Sequence, residues 1–279
     1  MKFLLNIAGV FALSALIVAC SATPDREVNS STEVVLKSQV DWQHLNPARG
    51  DKAPSAGTLW GNRNFNTATG FLLKPKDGFQ SPPHIHNVTY RGVVIKGLIH
   101  NDDPSAAKMW MPSGSYWTQP RGENHITAAK GADTLAYIEI EHGPYLVKPK
   151  EQAFDSGERA INVDQANLVW LNQDQLKWLS KESSVEVSYL WGKPEGKELN
   201  GRFVKLPSGF KGKITTESPE FRVVVIQGFL DLNLNGKETV LEPGSYFSSK
   251  GAAEHLLNNY DAQDVILYVR TRGELSIFQ

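Results

Sequence analysis

Beyond about residue 34 the chain alternates between apolar runs of strand length and turn residues, and almost no segment keeps a helical stripe. The runs at 92–99, 134–140, 221–234 and 265–271 are rich in Val, Ile and Leu and are bounded by Gly, Asn and Asp, the pattern of buried strands. Asn235-Gly236, between Leu234 and Thr239, predicts a two-residue hairpin turn, because both residues tolerate the positive φ that a type I′ turn needs. Only 164–179 offers a short helical pattern. The pattern predicts an all-β fold.

The chain also repeats itself. Gly78-Phe79, Arg91 and Gly97 recur 131 positions later as Gly209-Phe210, Arg222 and Gly228, and Leu59-Trp60-Gly61 recurs at the same displacement as Leu190-Trp191-Gly192. Gly114-Ser115-Tyr116 and His125 recur at 130 as Gly244-Ser245-Tyr246 and His255, so one residue is lost between the two sets. Two copies of one β-barrel unit are expected, at 34–155 and 156–279, with the boundary in the polar stretch around 151–164.

The beginning of the chain reads differently. Lys2 precedes an apolar run at 3–18 that is too short for a comfortable membrane span and ends in Ile17-Val18-Ala19-Cys20. This resembles the bacterial lipobox. The resemblance implies a signal peptide at 1–20, a diacylated Cys20 and a flexible tether at 21–33, with lipid holding the protein at a membrane face of the cell envelope. Ser21, where an aspartate would signal retention, favours the outer membrane, facing the periplasm.

Composition narrows the partners. With 29 basic and 30 acidic residues the formal charge is −1, which gives no broad field for nucleic acid or an anionic membrane surface. Membrane contact is therefore expected through the lipid anchor only. Cys20 is the sole cysteine, so the mature chain has no intramolecular disulfide and no thiolate metal ligand.

The chemistry is carried by histidines. His84 and His86 are two apart, so on a strand both side chains leave one face, and they follow Ser81-Pro82-Pro83, which stiffens the approach. His125 lies about forty residues later. Three neutral imidazoles suit Mn, Fe, Zn, Ni or Cu and leave coordination positions open. In this arrangement the chain resembles the cupin superfamily. The pattern G-x5-H-x-H-x3-E-x6-G is met by Gly78, His84, His86 and Gly97, and P-x-G-x-x-H by Pro120, Gly122 and His125. The phrase from His84 to Gly97 looks most like a family of uncharacterised bacterial cupins. The resemblance implies two tandem jelly-roll barrels with a divalent metal inside the mouth of the first.

One position departs from the motif. Tyr90 stands where the superfamily has a metal-binding glutamate, and its strand parity sends the hydroxyl either toward bound water and substrate or into core packing, as Phe221 does in the second copy. Glu123 and Gln80 are placed to reach the metal or its ligands, Glu123 as a proton-handling candidate with Tyr90 and Gln80 as a binding one. Thr215 and Glu217 replace His84 and His86 in the second copy, which leaves a degenerate barrel with at most a weak Glu217–His255 pair. Glu139 and Glu141 correspond to Arg270 and Arg272, a reversal that fits a solvated face or a barrel-to-barrel contact. His100, beside Asn101-Asp102-Asp103-Pro104, is expected to face solvent; His44 and His142 have no spacing argument. Trp110 and Trp117 flank the turn at Pro112, as mouth or packing residues.

The expected function is a metal-dependent cupin of the cell envelope acting on a small oxygen-bearing organic molecule, in the manner of a dioxygenase, lyase or isomerase. The rival is a non-catalytic module that binds a small molecule or senses a metal. A third reading is a scaffold that self-associates, as a homodimer, through its sheet edges.

Overall fold

The computed structural model describes residues 32–193 and 196–279. The expected leader, Cys20 and most of the expected tether lie outside the described residues. Within them the fold is all-β, and the only helical segments are short 3-10 turns.

The first half builds a seven-stranded sheet in the order Ile161–Val163, Tyr116–Gln119, Tyr90–Asp102, Ile126–Ile140, Thr69–Lys74, Ser55–Trp60, Trp42–His44. A two-stranded ribbon of His84–His86 and Val147–Pro149 lies beside it. The second half builds a six-stranded sheet, Glu33–Val35, Tyr246–Ser249, Phe221–Gln227, Val265–Arg272, Leu199–Leu206, Glu186–Trp191, and a five-stranded one, Lys237–Leu241, Leu230–Leu234, Ala253–Asn258, Lys211–Thr216, Leu275–Phe278. The long strands of the first half bend where pairing slips at Lys96, next to Gly97 at φ 77°. The equivalent strand of the second half breaks outright at Gly228. Asn235 and Gly236 have φ of 52° and 84°, forming the expected two-residue hairpin that closes Leu234 on Lys237.

Three apolar clusters explain why the runs are continuous instead of alternating. Phe71 and Leu73 face the core of the first half with Val94, Trp117 and Ile138, while Leu72 between them faces a shared core with Tyr137, Phe203 and Tyr268. The second half has its own core around Phe210, Val223, Phe247 and Leu267. A strand packed on both faces has no solvent side to mark with polar residues.

The halves face each other about an approximate two-fold axis. Arg91 lies over the ring of Trp191 at 3.7 Å, and the repeat-equivalent Arg222 over Trp60 at 4.1 Å. The arms preceding each copy cross over: Glu33–Val35 pairs with Tyr246–Ser249 of the second half, and Ile161–Val163 pairs with Tyr116–Gln119 of the first. Position 33, expected to end a tether, instead opens this strand. Val34 and Val35, one packing on the second-half core and one on the shared core, pin the chain there.

Three expectations are corrected here. No helix forms at 164–179 beyond the turn Gln165–Asn167, because Trp170, Leu176 and Leu179 are drawn into two different cores. Of the two readings of Glu139 and Arg270, the solvated face fails and the barrel-to-barrel contact holds. Positions near a two-fold axis meet their own counterparts, so the reversed charges form a buried inter-half pair. His100 is buried, 1% exposed, because the strand Tyr90–Asp102 continues through it and Met109 and Trp110 cover the ring.

Candidate metal centre

Two backbone features bring the three imidazoles together. The ribbon strand holds His84 and His86 on one face, and the His84 N–H and carbonyl exchange hydrogen bonds of 3.0 Å with the His125 carbonyl and N–H. Between this bridge and the next, Gln80 with Ala128, three residues (Ser81-Pro82-Pro83) stand opposite two. The bulge advances the register by one residue.

That bulge changes the equivalence with the second copy. There the pairing from Lys211–Asn258 to Thr216–Ala253 is unbroken, so the residue opposite His255 is Ile214. Ile214 and Thr216, not Thr215 and Glu217, take the places of His84 and His86. Both are buried, whereas Glu217 is exposed, and His255 bonds Ser249 at 3.0 Å. The three-histidine group is the one cluster of three or more metal-type side chains among the described residues.

In that group the side-chain nitrogens lie within 4.8 Å of one another, and His84 Nε2 is 3.2 Å from His86 Nε2. Two nitrogens bound to one ion at about 2.1 Å stand about 3.0–3.5 Å apart, so the spacing suits a shared divalent ion. The far nitrogens of two of them are tied to backbone carbonyls, His84 Nδ1 to Pro82 at 2.9 Å and His125 Nδ1 to Glu123 at 3.1 Å, while His86 Nδ1 is buried without a hydrogen bond. Those bonds place the proton on Nδ1 and leave Nε2 free to ligate. Burial depresses all three pKa values. For His84 the Arg49 charge adds to burial against the Pro82 carbonyl; His125 falls to about 3, with His84 adding to burial; His86 falls well below its ordinary value. The set is therefore neutral at physiological pH, the state in which imidazole binds a metal.

Two tyrosines flank the cluster. The Tyr90 hydroxyl is 3.4 Å from His125 Nε2 and donates to Asn101 Oδ1 at 2.9 Å, which also accepts from Thr127 at 2.7 Å. Asn101 in turn donates to Gln119 at 2.8 Å, and Gln119 to the Glu123 carbonyl at 3.3 Å, closing a ring of bonds back to His125. Tyr90 is thus both buried in the core and next to the cluster. Tyr145 stacks on His86 with centroids 4.4 Å apart and its hydroxyl 3.3 Å from Nε2. Burial raises the pKa of both phenols, so they remain protonated.

A cavity of about 290 Å³ opens on this group, walled by Leu73, Phe79, Trp117 and Ile138 and rimmed by Arg49 and Lys148. Trp117 belongs to its wall; Trp110 instead covers His100 beneath Lys130. Gln80 is exposed and accepts from Lys108 at 2.7 Å, outside the cavity lining. The Glu123 side chain lines a separate hollow with Asp155, Glu158 and Arg159, and only its carbonyl touches the cluster. His44 lies at the surface near Asp51, and His142 is exposed. Tyr145, Asn101 and Arg49 were not found from sequence. Asn101 was hidden by a loop-like composition, and Tyr145 and Arg49 lie outside any spacing pattern.

Residues 33–278 match the family described as "Domain of unknown function (DUF4437)". No curated protein matches the sequence. Among solved structures the chain is similar to a protein of Nostoc punctiforme PCC 73102, with TM-score 0.65 and 14% identity over 87% of this chain and 82% of that one. It is also similar to oxalate decarboxylase of Lactobacillus farciminis in its formate complex (0.57, 11%, 88% and 88%). Salicylate 1,2-dioxygenase of Pseudoaminobacter salicylatoxidans with gentisate is a further match (0.55, 15%, 89% and 85%). At these identities the likeness establishes the fold, which is the cupin fold.

Proposed function

Because the chain belongs to the DUF4437 family and carries a fold that hosts many chemistries, its function has to be read from the site, and we propose a metal-dependent enzyme. It acts on a small oxygen-bearing organic molecule, in a reaction of the dioxygenase, lyase or isomerase kind. The observation that carries this reading is the convergence of three buried, neutral imidazoles, two of which, His84 and His86, line an apolar cavity.

His84, His86 and His125 hold the ion, and a divalent ion there supplies electrophilic activation of a substrate oxygen. The chain's own residues do the rest. Trp117, Phe79 and Ile138 exclude water from the cavity, and Asn101 fixes the Tyr90 proton so that the phenol oxygen keeps its lone pairs toward His125 and the cavity. Tyr145 offers a second hydroxyl beside His86, its ring 5.8 Å from that of Tyr90. Metal analysis of the purified protein, with turnover measured before and after chelation, tests the reading. Protein that holds no stoichiometric metal would overturn it.

The second reading is a binding module without turnover. It is favoured by the absence of any carboxylate among the cavity-lining residues, which leaves the Tyr90 and Tyr145 phenols as the acid-base groups in contact with the imidazoles. Saturable binding of a small molecule to metal-loaded protein, with the ligand recovered unchanged, would support it.

We also propose that the chain is a lipoprotein anchored through Cys20 at the periplasmic face of the outer membrane. No helix among the described residues is long and apolar enough to cross a membrane. Release of Cys20→Ser into the soluble fraction, with loss of the acyl mass, is the expected result.

A further inference from the structure

The metal reading leaves open what kind of molecule reaches the site, and the cavity rim bears on that while resting on the same reading. Two cations and no acid line the cavity. Lys148 pairs with Ile85 across the ribbon, and Ile85 alternates with His84 and His86, so the Lys148 side chain leaves by the face opposite the imidazoles. Arg49 is the cation that faces in.

Its placement is built into the local fold. The turn Pro47–Lys52 starts at Asn46, whose side chain accepts from Ala48 N–H at 3.1 Å and whose carbonyl accepts from Arg49 N–H at 3.0 Å. The nearby acid Asp51 is turned toward His44, 3.5 Å away. The guanidinium has neither an ion-pair nor a hydrogen-bond partner among the described residues, and Arg49 lines the same cavity as His84 and His86. Arg49 is exposed while His84 and His86 are buried, so the cation marks the mouth and the imidazoles the floor, with an apolar wall between.

We propose that Arg49 selects the ligand of this site, and that the ligand is a small organic carboxylate whose apolar body lies along the wall and whose carboxylate pairs with the guanidinium. A guanidinium fork matches a carboxylate in two parallel hydrogen bonds. A single guanidinium at the mouth satisfies the two oxygens of one carboxylate and leaves the further oxygen of a phosphate ester without a cation there, which favours the carboxylate. Leu73, Phe79, Trp117 and Ile138 suit a ring or branched chain.

The test is calorimetric titration of metal-loaded protein with benzoate, cyclohexanecarboxylate and butyrate, their primary amides, and phenyl phosphate. At least one carboxylate is expected to bind tenfold or more above its amide. Arg49→Gln should lose that preference by roughly ten- to a hundredfold, with metal content and melting temperature unchanged. Lys52→Gln, on the same turn but outside the cavity lining, should keep it. Four outcomes overturn the proposal: no carboxylate preference in the wild type, a preference that survives Arg49→Gln, an equal loss in Lys52→Gln, or tighter binding of phenyl phosphate. Metal content is read separately, and the same panel on chelated protein isolates the Arg49 contribution, so failure of the metal reading is distinguishable.

Discussion

Glu139 and Arg270 hold the same place in the two copies of the repeat and meet as an ion pair 3.3 Å apart, each only 1% exposed. Around them Glu139 accepts from Tyr268 at 2.8 Å and Tyr137 at 3.1 Å, and Arg270 spans Glu141 in two bonds of 2.9 and 2.8 Å and reaches Glu220 at 2.9 Å. Removing the cation strands several carboxylates at once. Arg270→Ala is expected to cost about 3–5 kcal/mol in chemical denaturation, whereas Glu139→Leu combined with Arg270→Met should cost less than the two single changes added together. An additive double variant would count against the pair.

Stability should also fall in acid in a defined window. Burial lowers the His255 pKa to about 4, so the folded state keeps this ring neutral while the unfolded chain binds a proton below about pH 6.5. The unfolded state binds more protons between those values, and stability therefore declines as pH falls from about 6.5 to 4, by up to about 3 kcal/mol from this group. Glu141, held down to about 2 by Arg270 and Arg91 against the effect of burial, contributes stability that is present above about 4.5 and lost as pH falls toward 2. In urea titrations at pH 7 and 4.5, His255→Leu should show a smaller loss between the two than the wild type; an equal loss would remove His255 as the cause.

Ligand removal and metal removal should coincide. His84→Ala and His125→Ala are expected to lose metal by more than a hundredfold in affinity, since even partners outside the ligand set typically contribute ten- to a hundredfold. Chelation should lower the melting temperature of the wild type, because an ion at a thousand times its Kd stabilises the fold by about 4 kcal/mol, and should leave both variants unmoved. A chelator shift that persists in His84→Ala would place the metal elsewhere.

The register bulge makes a sharper prediction. In the second half Ile214 and Thr216 stand where His84 and His86 stand in the first, facing His255. Ile214→His with Thr216→His should therefore raise metal stoichiometry by one equivalent, while Thr215→His with Glu217→His should not. The opposite result would restore the simple sequence equivalence.

That contrast shows what was legible in the chain and what was not. The two-residue spacing of His84 and His86 announces a shared strand face, and Asn235-Gly236 announces its turn, because both are local geometry. A repeat, by comparison, reveals that Glu139 and Arg270 are equivalent but not that an axis passes beside them, so a charge reversal that the interface requires reads equally as a solvated face or a barrel-to-barrel contact. Ser81-Pro82-Pro83 was legible as a stiff approach, yet its extra residue against the opposite strand is visible only when both strands are paired. His100 and Asn101 were misplaced because Asp102-Asp103-Pro104 reads as loop while the strand runs to Asp102.

The crossed arms Glu33–Val35 and Ile161–Val163 carry a consequence for autonomy. Severed between the repeats, each fragment would keep a leading strand with nothing to pair on and expose a sheet edge that only the other fragment can cover. The tandem chain behaves as a covalently joined dimer whose two members cannot fold to completion alone, and its linker supplies the local concentration that two free copies would have to find by diffusion.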